Sequence, residues 1–135
     1  MGKQNLTKKL LIKDNQKIIF LNQPDYFYDE LLLSENMEIY DSISSDMDLV
    51  VLFVNNNSDF DKYILIVIGN IKKDGILWIC YPKKSSGVET DASGETIRGK
   101  MFKYGYKAVT QISIDEIWTG IRFRKIELVY KYSSK

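Results

Sequence analysis

The sequence contains no histidine. That absence removes Ser-His-Asp and Cys-His nucleophilic catalysis, and every His-ligated zinc or iron site. It contains one cysteine, Cys80. A lone cysteine forms no disulfide within the chain and builds neither a four-cysteine zinc site nor a cysteine-ligated iron–sulfur cluster. Cys80 lies in an apolar run without a base to activate it, and reads as a small core residue rather than a nucleophile. No apolar run approaches the ~18 residues a membrane span needs. Met1-Gly2-Lys3-Gln4-Asn5-Leu6 lacks the apolar core of a signal peptide. With the reduced thiol, this sets the cytosol as the expected compartment. A dominant charge is also missing. With 19 basic and 18 acidic residues the net charge is +1, which argues against a global nucleic-acid or membrane-surface field.

What remains is the composition of a globular chain. At 135 residues a single domain over 1–135 is expected, with an N-terminal helical extension at 1–16 and a C-terminal tail at 125–135. The 44% hydrophobic and 27% charged content rules against disorder. Leu6, Leu10 and Leu11 predict a short amphipathic helix ending before Asp14-Asn15. Lys17-Ile18-Ile19-Phe20-Leu21 reads as a strand, broken by Asn22-Gln23-Pro24-Asp25. Asp25 is a candidate cap for a helix over 26–33. A second strand is expected at 37–43. Residues 47–54 are apolar on both faces, as a buried parallel strand requires. Asn55-Asn56-Asn57 stops it.

Ser58-Asp59-Phe60-Asp61 has the form of a capping box, and Phe60, Ile64, Val67 and Ile71 make a helical stripe. Residues 70–75 end that helix, placing Lys72 and Lys73 at its C-terminus. Gly75-Ile76-Leu77-Trp78-Ile79-Cys80-Tyr81 is the next buried strand. Ser93 or Asp91 caps a helix through Tyr104, which Gly105 terminates. Residues 108–114 and 118–124 form a hairpin that 126–130 extends. The order predicts an α/β chain: a three-layer, mostly parallel Rossmann-like sheet with an antiparallel C-terminal edge hairpin.

Asp74-Gly75-Ile76-Leu77-Trp78, Tyr81-Pro82-Lys83-Lys84-Ser85-Ser86-Gly87 and Trp118-Thr119-Gly120-Ile121-Arg122-Phe123-Arg124 carry a resemblance. The chain resembles the C-terminal half of class I S-adenosylmethionine methyltransferases. It is more closely similar to a small bacterial family of unknown function with a reduced methyltransferase-like fold. The resemblance implies that fold and no established activity. True methyltransferases end their first strand in a glycine-rich turn and their second in a ribose-binding acid. Here the first turn has no glycine, and Asp41 stands as the candidate acid. The leading expectation is therefore a domain without a cofactor or classical catalysis, binding a small anionic ligand or a protein partner. The alternatives are an S-adenosylmethionine-dependent methyltransferase with an atypical cofactor loop, and a structural subunit that dimerises through its C-terminal hairpin.

The candidate ligand residues are Asn22, Gln23, Asp25, Asn55, Tyr81, Lys83, Lys84, Ser85, Ser86 and Gly87. They belong to three loops expected to converge beyond the carboxyl ends of the strands, where doubly wound sheets bind ligands. Trp118, Arg122 and Arg124 are candidates for an edge or partner contact. Their mixture with Phe123, Tyr130 and Tyr132 has the composition of a single-strand binder, but cation–π packing or a salt bridge explains it as well. Gly94-Glu95-Thr96-Ile97-Arg98-Gly99-Lys100 has P-loop spacing. Met101 stands where Ser or Thr should follow, and the segment does not directly follow a strand, so a helix with two glycines is expected. Asp46 and Asp48 lie at the opposite end of a strand from Asp59 and Asp61, so they do not converge on a metal.

Overall fold

The computed structural model describes residues 2–130, so residues 131–135 of the expected C-terminal tail, Tyr132 among them, lie outside the described residues. The chain forms α1 (Gly2–Lys9), β1 (Lys17–Leu21), β2 (Glu38–Tyr40), β3 (Met47–Phe53) and α2 (Asn57–Asn70). It continues as β4 (Ile71–Pro82), α3 (Gly94–Lys103), β5 (Tyr106–Ser113), β6 (Trp118–Lys125) and α4 (Ile126–Tyr130). The six strands lie in one sheet, in the order β2-β1-β3-β4-β6-β5. β1 pairs in parallel with β2 and β3, and β3 with β4. β6 pairs antiparallel with β4 and β5. This is the expected mostly parallel sheet closed by an antiparallel hairpin.

The period of two in the central strands divides the core into two layers. Ile19, Val50, Leu52, Leu77 and Ile79 meet Phe60, Ile64 and Val67 of α2 and Ile97 and Met101 of α3. Ile18, Phe20, Leu49, Val51, Phe53 and Trp78 meet Leu6 and Leu10, from α1 and its continuation, and Phe27. Both faces of β3 are thus buried, as its unbroken apolar run requires. The Trp78 indole N–H donates to the Leu10 carbonyl at 2.9 Å, tying the N-terminal segment to the sheet.

Several expected boundaries move. The helix expected over 26–33 is a single 3-10 turn, Phe27–Glu30. Phe27 is fully buried, edge-on to Phe20 and Phe53, so one anchored ring rather than a helical stripe fixes the segment. β2 covers three residues of the expected 37–43. Ser58 does not cap α2. Asn56 does, its side chain accepting the Asp59 amide at 2.9 Å. No loop separates α2 from β4. Ile71 ends the helix and opens the strand, so Lys72 and Lys73 are strand residues, and Lys72 pairs with Asp48 at 2.7 Å. The register of β4 against β3 slips between Met47↔Ile71 and Leu49↔Ile76. Gly75 lies in that irregularity, where a Cβ would come within 2.5 Å of Ile71 Cγ1.

Residues 126–130 form α4 instead of extending the hairpin. Lys125 is the last residue of β6 with a partner, Tyr106, the first of β5. The Ile126 N–H still donates to the Gly105 carbonyl at 2.9 Å, and from there the chain coils. The cap of α3 is Ser93, in a reciprocal box with Thr96, and Gly105 follows the helix at φ 89°, both as expected. No helix of the described residues is long and apolar enough to cross a membrane.

Candidate functional site

β1 is followed by β2 on one side of it, whereas β3 lies on its other side and leads to β4. The direction of winding therefore reverses between β1 and β3, and their carboxyl ends open the crevice where such sheets bind ligands. Asn22 follows β1 there, at φ 58°, in the left-handed region that glycine usually occupies. Its amide nitrogen donates to the Phe53 carbonyl at 2.9 Å and to Asp59 Oδ2 at 3.3 Å. The same Asp59 oxygen accepts the Asn55 backbone N–H at 2.8 Å and the Asn55 side chain at 3.0 Å. One carboxylate oxygen, set on the first turn of α2, thus gathers the loops after β1 and β3. Thr90 continues this edge by donating to the Asn55 carbonyl at 2.6 Å.

The other wall of the crevice comes from residues 23–28 and the end of β2. The Tyr28 phenol is pushed up by burial and then by the charge of Asp41, against a Gln23 hydrogen bond that pulls it down. Asp41, Gln23 and Tyr28 are therefore neighbours. Asp41 is exposed at the end of β2, and Asp25 is exposed in the turn.

Tyr81, Lys83, Lys84 and Ser85 lie elsewhere. They line one side of an open cleft of about 470 Å³. Ser93 and Gly94 at the start of α3 line another, and Gln111 and Thr119 of the hairpin close it. Its lining includes none of the crevice residues from 22–25 or 55–57. The cleft is thus lined by the third loop and not by the other two, while Asn57 links the loop after β3 to the segment that opens α3, donating its N–H to Asp91 Oδ1 at 2.8 Å and accepting from the Thr96 hydroxyl at 3.3 Å. Within the third loop, Lys83 Nζ donates to Ser113 Oγ at 2.6 Å and Lys83 N–H to the Ile117 carbonyl at 2.7 Å. The Ser86 hydroxyl is turned inward to the Lys83 carbonyl at 2.6 Å. Gly87 closes the turn.

Trp118 is buried, edge-on to Phe53, with its indole N–H donating to the Tyr26 hydroxyl at 3.1 Å. Arg124 grips Asp74 through Nε at 3.1 Å and Nη2 at 3.0 Å. Arg122 is half-buried, and its Nε has no hydrogen-bond partner among the described residues. Burial, then the charge of Arg124, draws the Arg122 guanidinium down. Cys80 is fully buried, and burial pushes its thiol up, away from the thiolate a nucleophile needs. Among the described residues, no group of three or more acidic or cysteine side chains could hold a metal ion.

Sequence reasoning passed over Ser93, Gly94, Gln111 and Thr119 at the cleft. Ser93 stood as one of two candidate caps for α3, but a cap does not say which loop the helix start faces. It also missed Glu30 and Asp115. These sit together where the 3-10 turn meets the hairpin, lining a smaller hollow with Tyr26. Burial, and then the hydrogen bond and charge of Asp115, push Glu30 up to about 7.

No family model and no curated protein matches the sequence. Solved structures do match the fold. A Listeria monocytogenes protein described as an S-adenosylmethionine dependent methyltransferase superposes with a TM-score of 0.57 at 12% identity, covering 92% of this chain and 96% of that one. A ribosomal protein L11 methylase from Lactobacillus delbrueckii subsp. bulgaricus gives 0.55 at 7% identity, over 90% of this chain and 75% of that one. DhpI, solved as a complex with SAH (S-adenosylhomocysteine), gives 0.55 at 9% identity, over 80% and 76%. The fold is methyltransferase-like, a truncated Rossmann-like sheet.

Proposed function

We propose that the protein binds S-adenosylmethionine or its demethylated product in the β1–β3 crevice, as a methyltransferase with an atypical cofactor turn. The observation that carries this reading is Asn22. The turn lacks glycine, yet the chain takes the left-handed conformation at its first position, at the point where the sheet reverses. Support comes from the fold shared with DhpI, which was solved with the product form of the cofactor. This reading replaces the expectation of a chain without a cofactor.

The residues present suit the group in two respects. Asp41, exposed at the end of β2, offers acceptors for ribose hydroxyls. Asp41 and Asp59 make the crevice acidic, which suits a ligand bearing a sulfonium and an ammonium. When bound, the cofactor supplies an electrophilic methyl group on that sulfonium. The chain's own residues bind it and orient it. Isothermal titration with S-adenosylhomocysteine tests the reading. Micromolar binding is expected, weakened about tenfold by Asp41→Ala through lost charge-assisted hydrogen bonds. Silence at millimolar ligand would sink it.

A second reading keeps the leading expectation from the sequence: a non-catalytic domain for a small anionic ligand or a protein partner. Asp59 favours it, because its carboxylate already takes up the Asn22 and Asn55 donors. A crevice satisfied from within has less to offer a cofactor.

A further inference from the structure

The cleft beside α3 holds a feature that the cofactor reading does not use. Tyr81 is only 7% exposed, yet its hydroxyl has no hydrogen-bond partner among the described residues and opens on the cleft. That hydroxyl meets the solvent of the cleft, where a ligand acceptor can take the place of water. The reason it stands open is Gly94, the first residue of α3. A Cβ at Gly94 would come within 2.8 Å of the Tyr81 hydroxyl and within 2.8 Å of Arg98 Nη1. The bare Cα therefore lets a neutral donor and a guanidinium flank one point. Arg98 lines an adjoining hollow with Ala108, Thr110 and Gln111, and it borders the cleft at Gly94 and Gln111, with Nη2 braced by Gln111 Oε1 at 2.6 Å and Nη1 toward Gly94. Burial pushes the Tyr81 phenol up, and the charge of Arg98 pulls it down, so the two groups feel each other. Lys83 and Lys84 line the cleft beside Tyr81.

We propose that this cleft binds a small molecule through a phosphomonoester group, with the Tyr81 hydroxyl and Arg98 as donors and Lys84 completing the charge. A dianion is what a site with several cationic groups from separate elements selects over a carboxylate. The volume, about 470 Å³, falls within the size range of small-molecule sites, larger than one phosphate needs. The lysine stems offer the remainder of the ligand an apolar wall. This inference stands apart from the cofactor reading, because the cleft's lining includes none of the crevice residues.

Phenyl phosphate, benzoate and inorganic phosphate, each titrated by calorimetry into the full chain, test it. Phenyl phosphate is expected to bind saturably, with benzoate and inorganic phosphate each at least about tenfold weaker. Tyr81→Phe removes only the hydroxyl and is expected to weaken phenyl phosphate about tenfold, the value of one hydrogen bond to a charged group. Gly94→Ala places a methyl between Tyr81 and Arg98. It is expected to weaken binding similarly and to lower the thermal midpoint modestly, since the methyl must displace the Tyr81 hydroxyl or the Arg98 terminus, whereas Tyr81→Phe carries no such strain. S-adenosylhomocysteine affinity is expected to be unchanged in both variants. Absence of saturable phenyl phosphate binding overturns the proposal. So does equal binding of benzoate, or wild-type affinity in both variants.

Discussion

Asn22 concentrates the functional question in one side chain. Its left-handed backbone costs a non-glycine residue some energy, reduced for asparagine, which tolerates that region better than most. The bonds to the Phe53 carbonyl and Asp59 compensate. Asn22→Gly relaxes the backbone, removes both bonds and opens the crevice. Under the cofactor reading S-adenosylhomocysteine should bind more tightly to this variant, by calorimetry, while stability changes by no more than about 1 kcal/mol. Weaker binding would mean that the asparagine amide itself holds the ligand. Glu30 poses a different question at the same scale. Its folded-state value near 7 lies above its ordinary 4.5, so the folded chain holds the proton more tightly than the unfolded one. The stabilisation from Glu30 is therefore complete below about pH 4.5 and lost as pH rises through about 7. The facing groups are Asp115 and Glu116 in the hairpin turn and Tyr26 beside Trp118. Thermal midpoints from about pH 5 to about pH 8 should fall in the wild type and flatten in Glu30→Gln. Parallel curves would remove Glu30 as the cause.

At the level of elements, legibility followed burial on two sides. β3 and the apolar part of β4 could be read because strands covered on both faces carry unbroken apolar runs. α2 could be read because Phe60, Ile64 and Val67 recur at helical spacing. Where one contact decides the conformation, the pattern is silent. Nothing local says that Phe27 will be gripped by Phe20 and Phe53, or that the ladder between β5 and β6 ends at Lys125. Nor does the run of asparagines tell which one meets the Asp59 amide. Asn56→Ala should cost about 1 kcal/mol by chemical denaturation, the usual value of an N-cap, with Ser58→Ala nearly neutral. The reverse order would return the cap to Ser58. The cleft follows the same rule. Its lysine loop was visible as composition, but Gln111 and Thr119 reach it through hairpin register, a long-range property.

The molecule as a whole is one sheet with a separate apolar layer on each face, and the coupling between them can be tested. Trp78 and Trp118 both belong to the layer that holds Leu6, Leu10 and Phe27. Their fluorescence therefore reports that layer, whereas far-UV circular dichroism is dominated by α2 and α3 on the other. The two layers share β1, β3 and β4, whose alternate residues point into each. Loss of one layer exposes apolar residues of strands that the other still needs. The two signals should consequently follow a single denaturation curve. Leu10→Ala, which removes a fully buried side chain beneath Trp78, should shift both by the same amount, about 2–5 kcal/mol. A fluorescence transition that moves ahead of the dichroism would show the α1 layer opening by itself. The crevice, whose far wall is the segment anchored by Phe27, would then be gated by that opening rather than held rigid for its ligand.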